Sequence, residues 1–267
     1  MNLKGIAISI LWVGLALALW QGIASAMHND RIAPTLTDLI QESYPSFAIF
    51  GNSSNNDYGE ATRVLVLHAL QTLKRAFEGI VLGGTVGIAT GLIVFSMGRW
   101  RSSAQRVLFV LMNVPLFSLI PLFVYWFSGE EFGIVLYVAL AAGVLVAAAT
   151  CEAAANVPLA YFWQASLAGG RRMSIVRSVV LPAIIPELML TFRWVLGLTW
   201  AFTLGAEYLS SDTSGCGFLV YQSYLYSDVG KLIVLGAVYA ILGYSSVKIF
   251  ELATTRLLPK QILTVRR

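Results

Sequence analysis

The chain of 267 residues is 57% hydrophobic and only 12% charged, with a formal net charge of +4. An ordinary soluble domain is roughly half apolar and about a quarter charged, so water is excluded as the main solvent of this fold. The positive balance is accounted for by where the basic residues fall along the chain, and it calls for no nucleic acid.

A bilayer core about 30 Å thick takes about 20 apolar residues per helix. Uncharged runs of that order occupy 5–27, 79–98, 107–129 and 132–151, and two more, 188–206 and 232–247, are interrupted or bounded only by Arg193 and Lys248. Backbone groups in lipid must be satisfied within the segment, and no series of short alternating strands is present. The expected fold is therefore all-α, a polytopic membrane protein with six transmembrane helices.

In chain order, the first run ends in Ala24-Ser25-Ala26 after Lys4, a pattern shared with secretory signals. A signal's apolar region is roughly 7 to 15 residues, and this one is long enough to stay in the membrane. The segment 28–58 reads as a partly ordered outer connector with a short interfacial helix after Thr35, its apolar face formed by Leu36, Leu39 and Ile40. Residues 61–77 read as an amphipathic lead-in to the second span. Basic residues near span ends favour the cytoplasm. Lys4, Arg99, Arg101, Arg106, Arg171, Arg172, Arg177, Arg256, Lys260, Arg266 and Arg267 all fall on one side of six alternating spans, which makes both termini cytoplasmic. Lys74 and Arg75 are the exceptions, basic residues on the outer side.

The link between the fourth and fifth spans, 156–181, has a helical period of its own. Leu159, Phe162, Trp163, Ser166 and Leu167 recur every three or four residues, which predicts one apolar helical face. Asn156 can cap its start, and Pro158 is tolerated in a first turn. Gly169-Gly170 then bends the chain, Arg171-Arg172 follow, and a second short piece with Met173, Val176 and Val180 leads to Pro182. A helix, a glycine bend and a helix with an apolar face in water need a cover. Lipid headgroups, met by the arginines, or a groove on a partner protein would supply it.

This link and its flanks resemble the inner-membrane permease subunit of binding-protein-dependent ABC importers, whose signature is E-A-A-x3-G-x9-I-x-L-P. Reading the motif from the literal Glu152 fails, because its glycine would be Pro158 and its Leu-Pro would be Gly170-Arg171. Anchoring on Leu181-Pro182 places the glycine at Gly169, the isoleucine at Val179, the second alanine at Ala165 and the acid at Trp163. The passages "FSLIPLFVYWFSGEEFGIVLYVAL" and "FRWVLGLTWAFTLGAEYLSSDTSGCGFLVYQS" are similar to the group importing nitrate, sulfonates, taurine and bicarbonate, matching at Arg193, Trp200, Ala206, Glu207, Gly215, Gly217 and Phe218.

The resemblance implies a type I ABC importer permease paired with an identical or paralogous second permease, two ABC ATPase subunits and an extracytoplasmic substrate-binding protein, in the inner membrane of a bacterium. It divides the chain into 1–60, the first span and outer connector; 61–260, the permease core with the coupling helices at 156–181; and 261–267, a basic tail. Phe162, Trp163, Leu167, Gly169, Arg171, Leu181 and Pro182 become the ATPase-coupling residues. Arg193, Trp200 and Glu207 become candidates for the translocation pathway. Its solute would be a small anion such as nitrate, a sulfonate or bicarbonate, with a heteroaromatic vitamin precursor as the alternative and a secondary transporter as a more distant one.

The residues themselves point the same way on chemistry. No G-x4-G-K-[ST] phosphate cradle occurs, so the chain is expected to be no enzyme and to carry no cofactor, ATP being hydrolysed by a partner. His28 and His68 have no ligand partners at metal spacing, and Cys151 and Cys216 read as small buried residues. Arg193 lies about 16 Å along a helix from Pro182, and an ionisable group that deep is a functional candidate by default. The competing reading of Arg193 is a structural ion pair, with Glu78 as the available acid.

Overall fold

The computed structural model describes residues 3–29, 31–51, 56–210 and 212–257, so the expected tail at 261–267 and most of the polar run 51–57 lie outside the described residues. The described residues are helices and turns, without strands. The long helices are α1 (Leu3–Met27), α2 (Tyr58–Ser96), α3 (Arg101–Met112), α4 (Ile120–Trp126), α5 (Glu131–Ala155), α6 (Leu159–Leu167), α7 (Arg172–Leu209), α8 (Cys216–Leu225) and α9 (Val229–Leu257). Two compact units are formed, Met1–Gln71 with Ser214–Tyr239, and Thr72–Thr213 with Ala240–Arg267.

In the first unit the connector after α1 is ordered. Thr35 and Asp38 form a capping box, the Asp38 carboxylate accepting from the Thr35 backbone N–H at 2.8 Å and from its hydroxyl at 2.6 Å. The Trp20 indole donates to the Pro34 carbonyl, and the Gln21 side chain accepts from the Leu36 N–H, so α1 is tied to the chain that follows it. The expected interfacial helix is only one turn of α-helix, Leu36–Asp38, before a wider turn, Leu39–Ser43, and a tight one, Pro45–Gly51. What orders this segment is burial: Phe47 and Ala48 are wholly enclosed with Ala61, Leu65, Leu219 and Leu235.

The second unit is built on close contact between α2 and α5. Gly79, Gly83, Gly87 and Gly91 recur every fourth residue and so share one face of α2. A Cβ at these positions would come within 2.3 to 2.6 Å of Val138, Ala139, Gly143 and Ala147 of α5. Such small-residue seams let helix backbones approach in lipid, where packing rather than water expulsion drives association. On its other faces α5 packs against α4 and α7 through Ile120, Phe123, Tyr137, Val195 and Phe202.

Among the described residues four helices are long and apolar enough to cross a membrane, those spanning Tyr58–Ser96, Glu131–Ala155, Arg172–Leu209 and Val229–Arg256. A further apolar stretch is a bent pair of helices. The expected straight span at 107–129 is instead α3 and α4, bent by 78°. Pro115 is the physical cause, because a proline drives the preceding residue, Val114, out of the helical region. Pro121 then sits in the first turn of α4, where its missing N–H does no harm. A shorter apolar stretch among the described residues is Leu11–Met27 of α1.

Candidate functional site

The segment between α5 and α7 is organised by its breakers. Asn156 closes α5, its N–H bonded to the Glu152 and Ala153 carbonyls, so it ends one helix rather than capping the next as its sequence position suggested. Pro158 is the residue that precedes α6, and the helix begins at Leu159. α6 ends in a Schellman arrangement: the Gly170 N–H reaches the Ala165 carbonyl at 2.9 Å and the Gly169 N–H reaches the Ser166 carbonyl at 3.0 Å. Gly169 takes φ +80°, the left-handed conformation that a side chain disfavours.

The apolar stripe expected on one face of α6 is divided between two environments. Leu159, Trp163 and Leu167, at successive intervals of four, are 72%, 68% and 88% exposed. Phe162, at the trailing edge of the stripe, turns inward instead, 6.1 Å from Phe95 and against Val157, Val180 and Ile184. The inward face of so short a helix is narrow, and Phe162 occupies it. Phe162 is thus a packing residue, while Trp163, Leu167 and the exposed Arg171 face outward.

The second expected short helix is the opening of α7. Arg172–Ile175 passes through a wide turn, Val176–Val180, directly into Leu181–Leu209, with the Leu181 N–H bonded to the Val176 carbonyl. Leu181 and Pro182 therefore lie within a continuous span and not at its border. Pro182 has no N–H to give, and the widened turn sits immediately before it.

Further along α7, Arg193 pairs with Glu251 of α9 at 2.8 Å, not with Glu78, which has Lys74 as its neighbour at 4.0 Å. Lys248 holds the other oxygen of the same Glu251 carboxylate, also at 2.8 Å. Two cations share one acid, and the Arg193 side chain is 55% exposed. Trp200 is buried and donates its indole N–H to the Ser246 hydroxyl at 2.8 Å. Glu207 is buried as well: it accepts from the Arg75 guanidinium at 3.0 Å and from the Thr72 hydroxyl at 2.9 Å. Arg75 also reaches Asp212. Glu207 therefore fastens α2 to α7 through an enclosed ion pair.

Residues 79–262 match the model of the family described as binding-protein-dependent transport system inner membrane component. The chain belongs to this family. Among relatives of the permease, a putative ABC transporter permease protein of Methanocaldococcus jannaschii is 24% identical over 91% of this chain and 87% of its own. The putative aliphatic sulfonates transport permease protein SsuC of Bacillus subtilis is 27% identical, covering 88% and 80%. The bicarbonate transport system permease protein CmpB of Synechococcus elongatus is 23% identical, covering 87% and 82%. Among solved structures, a chain of the inward-facing MetNI methionine ABC transporter superposes with a TM-score of 0.63 at 18% identity, over 77% of this chain and 98% of that one.

This is therefore an ABC importer permease, a multi-pass membrane protein and not an enzyme. Three features of the permease have signals in its sequence whose partners spacing alone does not give. Arg75 had a signal, a basic residue on the outer side, whose reason is Glu207 and Asp212. The glycine seam of α2 had one in its four-residue repeat. Lys248 and Glu251 had a weaker one, two opposite charges three residues apart at the end of an apolar run.

Proposed function

We propose that this permease carries a small anion, and that α6 with its glycine turn is the coupling element seated in a partner ATPase. The observation that carries the coupling reading is the outward face of Leu159, Trp163 and Leu167, rigidly capped at Gly169 and continuous in chain with the span bearing Arg193. Three large apolar side chains in water call for a cover, and a groove on an ATPase supplies one. Trp163 stands where the motif has its acid, so its hold on the partner rests on buried area. In the same reading both termini are cytoplasmic, 61–260 is the permease core, two permeases and two ATPases assemble, and a binding protein delivers the solute. ATP is hydrolysed by the partner, and the permease needs no cofactor.

Reconstituted complex tests this directly. Trp163→Ala with Leu167→Ala is expected to leave the permease inserted and its yield unchanged while solute-stimulated ATP hydrolysis is lost. Full stimulation by that variant would sink the coupling reading.

The anion follows from Arg193, Lys248 and Glu251. Two cations on one carboxylate leave a net positive charge along the apolar helices, where ionisable groups are costly unless compensated. An anionic solute would compensate it, in keeping with the sulfonate and bicarbonate named for two relatives. Lys248→Met is expected to weaken anion uptake severalfold with assembly intact, and Glu251→Gln to weaken assembly by leaving both cations unpaired. If Lys248→Met transports normally, the triad is structural and another feature sets the solute.

A further inference from the structure

Behind the coupling helix lies a cleft of about 470 Å³, bounded by Phe95 and Ser96 at the end of α2, by Gly98 and Arg101, by the end of α5, by Phe162 and Ser166 of α6, and by Arg172 at the start of α7. Among the described residues its lining includes two guanidinium groups and no carboxylate. The Arg101 guanidinium stacks 4.6 Å from the centre of the Phe95 ring, which fixes it in place without neutralising it. The Arg172 guanidinium lies over Gly98, its Nη2 only 3.6 Å from where a Cβ there would sit. Neither arginine has an acidic partner within ion-pair distance among the described residues.

We propose that this cleft binds a phosphate group through Arg101 and Arg172. Guanidinium forks match phosphate oxygens in pairs, and two of them without a competing acid suit a group carrying one to two negative charges. The volume exceeds that of a bare phosphate, so a phosphate ester with a small polar substituent fills it better. Arg99 and Trp100, which stack at 5.6 Å beside the cleft, form the type of aromatic and basic border found at headgroup depth. An anionic phospholipid headgroup and a soluble phosphate offer the same chemistry. Because α6 forms one wall, occupancy would hold the coupling helix against the end of α2. The site itself does not depend on what α6 docks into.

The test uses the full-length permease. Purified from phosphatidylglycerol-containing membranes and examined by native mass spectrometry, wild type and an Arg106→Gln/Arg177→Gln control, whose residues lie outside the cleft lining, should retain phosphatidylglycerol, and Arg101→Gln/Arg172→Gln should lose it. In a second arm, inorganic phosphate is titrated into the protein in phosphatidylcholine nanodiscs. Protection of wild type from thermal unfolding, absent in the Arg101→Gln/Arg172→Gln variant, would identify a soluble source. Ser166→Trp keeps both arginines and fills the cleft, and it should abolish binding in whichever arm wild type shows it, even if the double arginine variant does not fold. Equal loss in the control pair, or no difference in either arm, overturns the proposal.

Discussion

Gly169 and Gly170 stand side by side and resist a methyl group for different reasons. At Gly169 a Cβ meets no atom within 4 Å, so the obstacle is the backbone alone, at φ +80°. At Gly170 a Cβ would lie 2.7 Å from the Ala165 carbonyl, the acceptor that closes the cap. Gly169→Ala is expected to cost about 1–2 kcal/mol of local stability, from the left-handed strain of an L-residue. Gly170→Ala should open the end of α6 outright. Hydrogen exchange across 165–172 distinguishes the two, slightly faster for the first and unprotected for the second. Arg75 and Glu207 make the opposite pair, indispensable to each other. Removing one partner of a buried ion pair typically costs 3–5 kcal/mol, whereas replacing both by apolar residues is often tolerated. Arg75→Met should therefore lower the thermal midpoint sharply, and Arg75→Met/Glu207→Leu should recover much of it. The sequence exposed half of this pair as an anomaly of charge and hid the other half, because contact across 132 positions leaves no local trace.

At the scale of elements, periodicity located the helices better than it oriented them. The apolar stripe of α6 was legible, but the three- and four-residue spacing is equally compatible with Phe162 inside or outside, and only the neighbouring Phe95 and Val180 decide it. Hydropathy found the third crossing as one run, since Pro115 changes direction without changing polarity. The glycine seam of α2 carries the sharpest expectation. Gly87→Leu would drive a side chain into the Gly143 carbonyl and Val146, forcing α2 from α5, and should abolish the folded protein; Gly14→Leu, on open surface of α1, should not. Detergent-solubilised yield by size-exclusion chromatography separates these outcomes. The cap at Thr35 has a pH signature instead. The Thr35 hydroxyl, and next its backbone N–H, hold the Asp38 carboxyl below its ordinary value of 3.8. A depressed pKa means that the cap contributes fully above that value and fades as pH falls through the lower, folded one. The protection of the amides at 36–40, taken relative to their intrinsic exchange rate at each pH, should fall on acidification below about pH 4 in wild type and stay constant in Asp38→Asn.

For the whole molecule, composition and uncharged run length were enough for an all-helical membrane protein, because lipid leaves the backbone so few solutions. What the composition could not carry was which helices touch, and that is decided here by residues with almost no side chain. One consequence belongs to α7. At 1.5 Å per residue, a helix of 38 residues is a rod about 57 Å long. Arg172, beside the glycine turn, and Glu207, in its enclosed salt link, are fixed near opposite tips of that rod. A tilt of ten degrees about one tip would sweep the other through about 10 Å. The rod has one irregular turn, the widened one at Val176–Val180 before Pro182. Pro182→Ala restores the missing donor and should stiffen it, slowing exchange at 176–182. In the coupling proposed above this turn would serve as a clutch: a nudge at the glycine turn would reach the far salt link only if the turn held its shape, and would otherwise dissipate within one helical turn.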